Sequence, residues 1–153
     1  MSDVTALTLR EANALIMQGR LRAEAVLDAC LGRIEQEQPT LNCFIRVTAE
    51  AARRKARAAD ASVKAGRALG KLHGVPLAHK DMFYRAGEVC TCGSKIRADF
   101  VPDHTATVLT RLDTAGGIEL GRLNMAEFAL GPTGHNDHFG RCRNPWHRSW
   151  WWV

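Results

Sequence analysis

The chain has 153 residues with a formal net charge of +5 at pH 7, and 46% of the residues are hydrophobic. This composition is typical of a globular domain, and no apolar run approaches the ~18 residues of a membrane-spanning helix. The five scattered cysteines do not fit a secreted disulfide framework, and the first residues do not resemble a cleavable signal peptide. The sequence therefore predicts a cytoplasmic protein whose mature chain begins at Met1.

The basic charge is concentrated in "AARRKARAAD", an alanine-rich segment of high helix propensity that contains Arg53, Arg54, Lys55 and Arg57. Such a cluster is one signature of nucleic-acid binding. However, no aromatic side chain interleaves with these charges to stack on a base, and a charged run of this kind is usually a solvated helix face. We therefore expect neither a nucleic-acid partner nor a membrane partner.

The first part of the chain, residues 1–65, is predicted to be mainly helical. Thr8 and Glu11 have the spacing of a capping box, which predicts the start of a first helix. The apolar face of this helix consists of Leu9, Ala12, Leu15 and Ile16. A second helix has its apolar positions at Val26, Leu27, Cys30, Leu31 and Ile34. Pro39 should end it, because proline interrupts helix hydrogen bonding. The segment "NCFIRV" then predicts a strand, and residues 49–64 predict a third helix.

The next part, residues 66–146, is predicted to be the α/β region. The apolar run Val75–Ala78 predicts a short buried strand, with Pro76 at a sheet edge or at the first strand residue. The segment "PDHTATVLTRLDTAGG" predicts a capped helix that ends at two glycines, and "IELGRLN" predicts another strand. The inward side chains of this helix are predicted to be Val108, Leu109 and Leu112. Alternating helices and strands predict an α/β fold with a partly parallel sheet.

Lys80 is the candidate for proton transfer, because it directly follows the apolar run. Desolvation there would favour a neutral amine that acts as a base, whereas a lysine at a strand end is also commonly a surface residue. Cys90 and Cys92 are too close together for a zinc knuckle, and His135 and His138 lie in a loop rich in Gly, Asn and Asp, so no metal is expected. The glycine-rich segment around these histidines lacks a phosphate-binding pattern, so no nucleotide cofactor is expected.

Several segments together resemble one family. "GKLHGVPLAHKD", then "GSK" at Gly93–Lys95, then "VPDHTATVLTRLDTAGGIELGRLNMAEFALGPTGHNDHFGRCRNPW" follow the order and spacing of the amidase signature family. The resemblance covers residues 70–146 and implies the first part of the amidase signature fold, with helices packed on a mixed sheet. It also implies an enzyme that hydrolyses a small-molecule amide or transfers amide nitrogen. A stand-alone amidase and the A subunit of the tRNA-dependent amidotransferase both remain open.

The resemblance also implies roles for individual residues. The family uses a nucleophilic serine, a bridging serine on a cis peptide bond and a lysine that accepts a proton, and Lys80 matches that lysine. The apolar run before it would provide the desolvation that this role needs. The residues that resemble the border of the family's acyl pocket are Ala129, Leu130 and Gly131. Ser94 resembles a family position near the site, but we do not assign it the role of the nucleophile.

The sequence departs from the family after "NPW". The family continues with a Gly/Ser-rich signature that carries the bridging serine and part of the oxyanion hole, whereas this chain ends "HRSWWWV". Three TGG tryptophan codons followed by a valine codon give three glycine codons when they are read one base later. We therefore expect residues 147–153 to be a shifted reading frame without selected function. Ser149 lacks the surroundings of an anion hole, so the truncated chain is expected to be inactive alone.

Loss of the family's remaining strands is also expected to leave sheet edges uncovered, which favours association, aggregation or proteolysis. Three interpretations are open: an amidase-family hydrolase in truncated form, a non-catalytic interaction fragment, and a basic nucleic-acid binder. Retention of a full-length homologue in a pull-down favours the second, and steeply salt-dependent binding to DNA or RNA favours the third.

Overall fold

A computed structural model describes residues 4–67 and 69–146 of the chain. In these ranges the helices are α1 (Leu9–Met17), α2 (Ala23–Leu41), α3 (Ala49–Lys64) and α4 (Thr107–Thr114). The strands are β1 (Phe44–Val47), β2 (Pro76–Lys80) and β3 (Ile118–Leu123). This order agrees with the predicted alternation. The tail that the sequence predicts to be frameshifted lies outside the described residues. No helix in the described ranges is both long and apolar enough to cross a membrane.

The capping box at the start of α1 is confirmed. The Glu11 amide donates to the Thr8 hydroxyl oxygen over 3.3 Å, and the Thr8 amide donates to the Glu11 carboxylate over 2.8 Å. Ala12 and Ile16 are buried, as the periodicity predicts, but Leu9 is 53% exposed because it lies in the first turn. The two reciprocal bonds satisfy amides that have no partner inside the helix.

The prediction that Pro39 ends the second helix is wrong, since α2 continues to Leu41. Proline removes one amide donor, but this loss falls close to the helix end, where the remaining bonds close the turn. The Asn42 amide donates to the Gln38 carbonyl over 2.9 Å. The Gln38 side chain also accepts from the Phe44 amide and donates to the Phe44 carbonyl, over 2.9 and 2.7 Å. These contacts hold the end of α2 against the start of β1.

The basic cluster of α3 lies on a solvated helix face, as predicted. Its Ala52, Ala56 and Ala59 side chains are buried, whereas Arg54, Lys55 and Arg57 are exposed. Arg53 forms ion pairs with Asp28 and Glu50, and Arg57 pairs with Glu24. Two of the four cations are therefore matched by carboxylates of the protein itself.

The three strands form one mixed sheet in the order β1-β3-β2. β1 pairs with β3 in the antiparallel sense, with an irregularity between Phe44 and Arg46. β2 and β3 run parallel: the Ile118 amide donates to the carbonyl of Val75, just before β2, and the amide of Asp81, just after β2, donates to the Leu123 carbonyl. α4 forms the crossover between these parallel strands, which is the usual βαβ arrangement. The predicted α/β fold with a partly parallel sheet is confirmed.

Two details of the predicted core differ in the structure. In the run Val75–Ala78 only Val75 is fully buried. The strand begins at Pro76, and at the first strand residue the missing amide donor of proline removes no hydrogen bond from the middle of the sheet. In α4, Leu109 is 1% exposed but Val108 is 44% exposed, so the inward orientation predicted for Val108 is wrong. Because successive helix residues are rotated by about 100°, burial centred on Leu109 turns Val108 toward solvent.

The described residues form two compact units. The first consists of residues up to Ile34, Thr48–Leu77 and Thr110–Leu120, and its buried side chains are almost all apolar. The second consists of Glu35–Val47, Ala78–Leu109 and the described residues from Gly121 onward. The second unit buries the polar side chains of Asp81, Thr91, Ser94, Arg122, Asn124 and Asn136. Buried polar groups need partners, and their arrangement defines the candidate site. The predicted division of the chain at residue 65 stays a prediction.

Candidate functional site

Lys80 is the last residue of β2, and its side chain is exposed. The apolar run before it is also only partly buried, so the predicted desolvation of this amine stays a prediction. The charge of Lys80 nevertheless acts on a nearby thiol. Burial and then Cys43 raise the pKa of Cys142 to about 12, and Lys80 opposes that rise.

Asp81, the residue after Lys80, anchors the following loop. Its side chain is 2% exposed, and its carboxylate accepts from the Thr91 amide over 2.9 Å and from the Thr91 hydroxyl over 2.5 Å. The Asp81 carbonyl accepts from the Cys92 amide over 2.8 Å. A buried carboxylate with several donors is well satisfied. The loop that carries "GSK" is thus folded back against the end of β2.

Ser94, Glu127 and His138 form a hydrogen-bonded cluster. The Ser94 side chain is fully buried, and its hydroxyl donates to Glu127 Oε1 over 2.5 Å. His138 Nε2 lies 3.0 Å from the same carboxylate oxygen. The hydrogen bond from Ser94 and, to a smaller extent, that from His138 lower the pKa of Glu127 against the opposing effect of desolvation. The Ser94 hydroxyl is therefore committed to a carboxylate, which agrees with assigning it no nucleophilic role.

Asn136 joins this cluster to the "GSK" loop and is 3% exposed. Its side-chain amide donates to the carbonyls of Gly93 and Met125 over 2.7 and 2.8 Å. Its side-chain oxygen accepts from the amides of His138 and Phe139 over 2.8 and 2.9 Å. Gly93 is in the left-handed region with φ of 69°, and a side chain there would meet the Asn136 amide nitrogen at 2.8 Å. A single asparagine thus fixes three segments of backbone.

The predicted border of the acyl pocket lies on an exposed turn. Phe128 and Ala129 both have left-handed backbone angles, with φ of 50° and 59°, which are unusual for residues with a side chain. The Phe128 amide donates to the Cys92 carbonyl over 2.9 Å, which ties the turn to the "GSK" loop. Ala129 and Gly131 are exposed, and Leu130 is 84% exposed.

An open depression of about 300 Å³ lies beside this turn. Its wall includes Met82, Phe83, Tyr84, Cys92, His104, Ala106 and Phe128. This wall is mainly aromatic and apolar, and such surfaces are typical of small-molecule sites. The predicted residues Ala129, Leu130 and Gly131 follow Phe128 directly along the chain but do not form this wall.

The cysteine and histidine pairs are each used in other contacts. Cys90 and Cys92 are buried, and the Cys90 thiol donates to the Asp81 carbonyl over 3.4 Å. His135 lies 2.9 Å from Asp137, whereas His138 contacts Glu127, so the two histidines have separate partners. Among the described residues no cluster of three or more His, Cys, Asp or Glu side chains is arranged to hold a metal.

Comparison with known proteins decides the family. A family model described as Amidase matches residues 25–152 of the sequence. The chain belongs to the amidase family. The resemblance inferred from the "GKLHGVPLAHKD" and "NPW" segments is thereby confirmed, and so is the fold class.

Individual members of the amidase family match most of this chain. The A subunit of glutamyl-tRNA(Gln) amidotransferase from Halorhodospira halophila is 47% identical over 139 residues, which cover 91% of this chain and 28% of that protein. The equivalent protein of Azoarcus sp. is 51% identical over 116 residues, which cover 76% of this chain and 24% of that protein. The structure of native peptide amidase from Stenotrophomonas maltophilia matches with a TM-score of 0.84 and 29% identity, covering 94% of this chain and 31% of that one. The chain therefore spans less than a third of the length of these relatives.

Sequence reasoning selected Lys80, Ser94 and the acyl-pocket segment, and all of these lie in the second unit. It did not select the polar residues that hold the unit together, namely Asp81, Thr91, Glu127, Asn136 and His138. Asn136 was detectable only as one of several turn-forming residues in "GPTGHNDH". Its four bonds reach residues up to 43 positions away, which local patterns do not encode.

Proposed function

We propose that this chain provides the lysine half of an amidase active site, with Lys80 as the proton acceptor. Membership of the amidase family carries this proposal. The exposed position of Lys80 at the end of β2 also supports it, because its amine is accessible to a hydroxyl supplied from outside the described residues. Asp81 and Thr91 fix the backbone just after Lys80, and such support is what a proton acceptor needs to keep its position.

The proposed chemistry is the breaking of a carboxylic amide bond. The proton acceptor must be a neutral amine, so the proposed chemistry requires Lys80 to be desolvated by the part of the site that carries the serines. The amine then accepts the proton of a bridging serine, which accepts the proton of the nucleophilic serine as it attacks the amide carbonyl. The family carries both serines after "NPW", where this chain has a different sequence. Ser94 is not proposed to replace them, since its side chain is fully buried and its hydroxyl is not accessible to a substrate. We therefore propose that the chain has no amidase activity alone.

The substrate is proposed to be an amide whose acyl group lies along Ala129, Leu130 and Gly131. The left-handed turn at Phe128 and Ala129 supports this role, because it presents the next residues to solvent next to an apolar depression. Transfer of amide nitrogen and simple hydrolysis remain the two forms of the reaction. The relatives named as glutamyl-tRNA(Gln) amidotransferase favour the first, and the structural match to a peptide amidase is compatible with the second.

A chimera tests the role of Lys80. Residues 1–146 of this chain are joined to the corresponding remainder of the amidotransferase protein from Halorhodospira halophila, which restores a Gly/Ser-rich segment. We expect this chimera to release ammonia from a carboxamide such as glutamine. Lys80→Ala should lower kcat by roughly 10²–10⁴-fold, the usual contribution of a positioned general base. Lys71→Ala removes an exposed lysine from the loop that precedes β2 and should leave kcat within about twofold.

The same chimera can contradict the proposed role of Lys80. Equal losses in the Lys80→Ala and Lys71→Ala variants would exclude Lys80 as the base. Hydrolysis by the unmodified chain that disappears in Lys80→Ala would contradict the proposed inactivity.

A non-catalytic role as an interaction fragment in the cytoplasm is the second candidate. It is favoured by large apolar side chains that are exposed in the structure, including Ile96 at 85% and Trp146 at 93%. Such surface normally marks an interface when it is contiguous. Retention of a full-length family member on the immobilised chain would support this role, and its loss in an Ile96→Ser variant would locate the contact.

A further inference from the structure

Cys43 and Cys142 place two thiols next to each other in the second unit. Their Sγ atoms are 3.7 Å apart although the residues are 99 positions apart in sequence. Both side chains are partly exposed, and both cysteines are free thiols. A disulfide requires an Sγ–Sγ bond of about 2.0 Å, so the two sulfur atoms must come about 1.7 Å closer to bond.

The backbone around the two thiols is held in place by hydrogen bonds. The Asn42 side chain donates to the carbonyls of Phe139 and Arg141 over 2.8 and 3.3 Å. The Arg143 amide donates to the Leu41 carbonyl over 2.8 Å. These bonds lie on both sides of Cys142 and directly before Cys43. The fold itself therefore brings the two cysteines next to each other.

We propose that Cys43 and Cys142 form a redox-sensitive dithiol that a low-molecular-weight disulfide oxidises to an intramolecular disulfide. In the first step a Cys43 thiolate attacks one sulfur of the oxidant, the oxidant's S–S bond breaks, and one thiolate leaves. In the second step Cys142 loses its proton and attacks Cys43 Sγ in the mixed disulfide. The second thiolate leaves, so two protein thiols are oxidised while one external disulfide is reduced to two thiols.

The order of these steps agrees with the surroundings of Cys142. Its partial burial and the neighbouring Cys43 raise its pKa, which disfavours its thiolate as the first nucleophile. The charge of Lys80 partly offsets this rise, and it would stabilise the Cys142 thiolate in the second step. We expect Lys80→Met to slow closure of the disulfide without changing which cysteines are linked.

The other cysteines are less suited to this reaction. Cys90 is fully buried, and burial followed by the neighbouring Cys92 and Asp81 raises its pKa to about 11. Desolvation by burial also raises the pKa of the Cys30 thiol, which lies on α2 in the first unit. The Cys43–Cys142 pair is thus distinguished by partial access to solvent, whereas Cys90 and Cys92 are buried.

Peptide mapping tests the proposal on the full chain. The protein is incubated with oxidised glutathione at pH 8, free thiols are blocked, and the protein is digested with trypsin. The cysteines fall in four separate peptides, residues 23–33, 34–46, 86–95 and 142–143. We expect the 34–46 peptide linked to 142–143, with a protein mass two hydrogens lower, to exceed any other linked pair by roughly tenfold. Dithiothreitol should reverse it.

Two comparisons make the result decisive. In guanidinium the long loop between Cys43 and Cys142 disfavours their pairing, so the product should shift to the closely spaced Cys90 and Cys92. Cys142→Ser should abolish the linked peptide, whereas Cys30→Ser should preserve it. Equal yields of the 34–46 and 142–143 link in folded and denatured protein would overturn the proposal, and so would a predominant Cys90–Cys92 product in the folded chain.

Discussion

At the scale of single residues, the candidate site depends on side chains that bridge segments distant in sequence. Asn136 uses all four of its hydrogen-bonding positions on backbone groups. Arg122 is 1% exposed and donates to the Phe83 carbonyl and to Glu88 over 2.8 and 3.0 Å. Each of these side chains satisfies backbone or charged groups that would otherwise be costly to bury. Truncating them should therefore affect several loops at once.

Asn136→Ala gives the clearest test of this dependence. The variant leaves four backbone partners of Asn136 without their bond, and each unsatisfied buried group costs about 1–3 kcal/mol. We expect the amide hydrogens of His138 and Phe139 to exchange roughly tenfold faster or more in hydrogen-exchange mass spectrometry or NMR. The Ala52 amide in α3, which donates to the Thr48 carbonyl over 3.0 Å, is the internal control because it has no contact with Asn136. Unchanged exchange at His138 and Phe139 would show that the asparagine does not hold this loop.

The Glu127 cluster should make the same region sensitive to acid. The Ser94 hydroxyl is the main cause of the lowered pKa of Glu127, so the ionised carboxylate is favoured in the folded state. A carboxyl group with a depressed folded pKa stabilises the fold above its unfolded pKa, near 4.5, and loses that effect as the pH falls through the folded value. The protection factor of the Ile96 amide, which donates to the Ser94 hydroxyl, should therefore fall below about pH 4.5 when its exchange rate is compared with the intrinsic rate at each pH. Glu127→Gln should remove this pH dependence, and an identical acid response in that variant would assign it to other groups.

At the scale of secondary-structure elements, the pairing of β1 with β3 requires glycine at position 121. A side chain there would place its Cβ 2.1 Å from the Arg46 carbonyl oxygen and 2.9 Å from Val47 Cα, both of which belong to backbone that cannot rotate away. Gly121→Ala should separate the strands at a cost of about 1–3 kcal/mol. We expect the Asn124 amide, which donates to the Cys43 carbonyl, to exchange roughly ten- to a hundredfold faster.

Gly32→Ala is the matched control for this substitution. Gly32 lies inside α2, and a Cβ there would meet no other atom within 4 Å. Alanine in a helix is favoured over glycine by about 0.5–1 kcal/mol, so the α2 amides should exchange more slowly than in the unmodified chain. Faster exchange in both variants would mean that any added methyl group disturbs the protein, and the close approach at Gly121 would not be the cause.

The elements that were predicted correctly are those whose signal is local. The Thr8–Glu11 capping box and the strand formers of "NCFIRV" lie within a few residues, so the sequence contains the whole interaction. The end of α2 was mispredicted because the prediction considered only Pro39. The hydrogen bonds between the Gln38 side chain and Phe44 stabilise the last turn of the helix beyond the proline. The exposure of Val108 depends on which neighbours α4 faces. That information lies outside the helix.

At the scale of the whole molecule, the mixed sheet and the family followed from the sequence, whereas the surroundings of Lys80 did not. Several motifs that occur in the order and at the spacing of one family identify that family more specifically than any single motif does. The desolvation of one lysine depends instead on every segment packed around it, and the part of the chain that the structure describes leaves Lys80 exposed. The motif therefore identifies Lys80, whereas the exposure of its side chain is known only from the three-dimensional structure.

The exposed edges of the sheet should control whether the chain associates with itself. In the described structure β1 and β2 each pair only with β3, so each presents one unpaired edge. β2 begins with Pro76 and ends with Lys80, and both residue types are known to limit edge pairing.

Lys80→Val should remove the charge from this edge and increase self-association at concentrations of about 10–100 µM, measured by sedimentation velocity. Lys71→Val removes the same charge from an exposed loop position and should sediment like the unmodified chain. An equal increase in both variants would indicate that lower net charge causes the association, and β2 would then have no particular part in it.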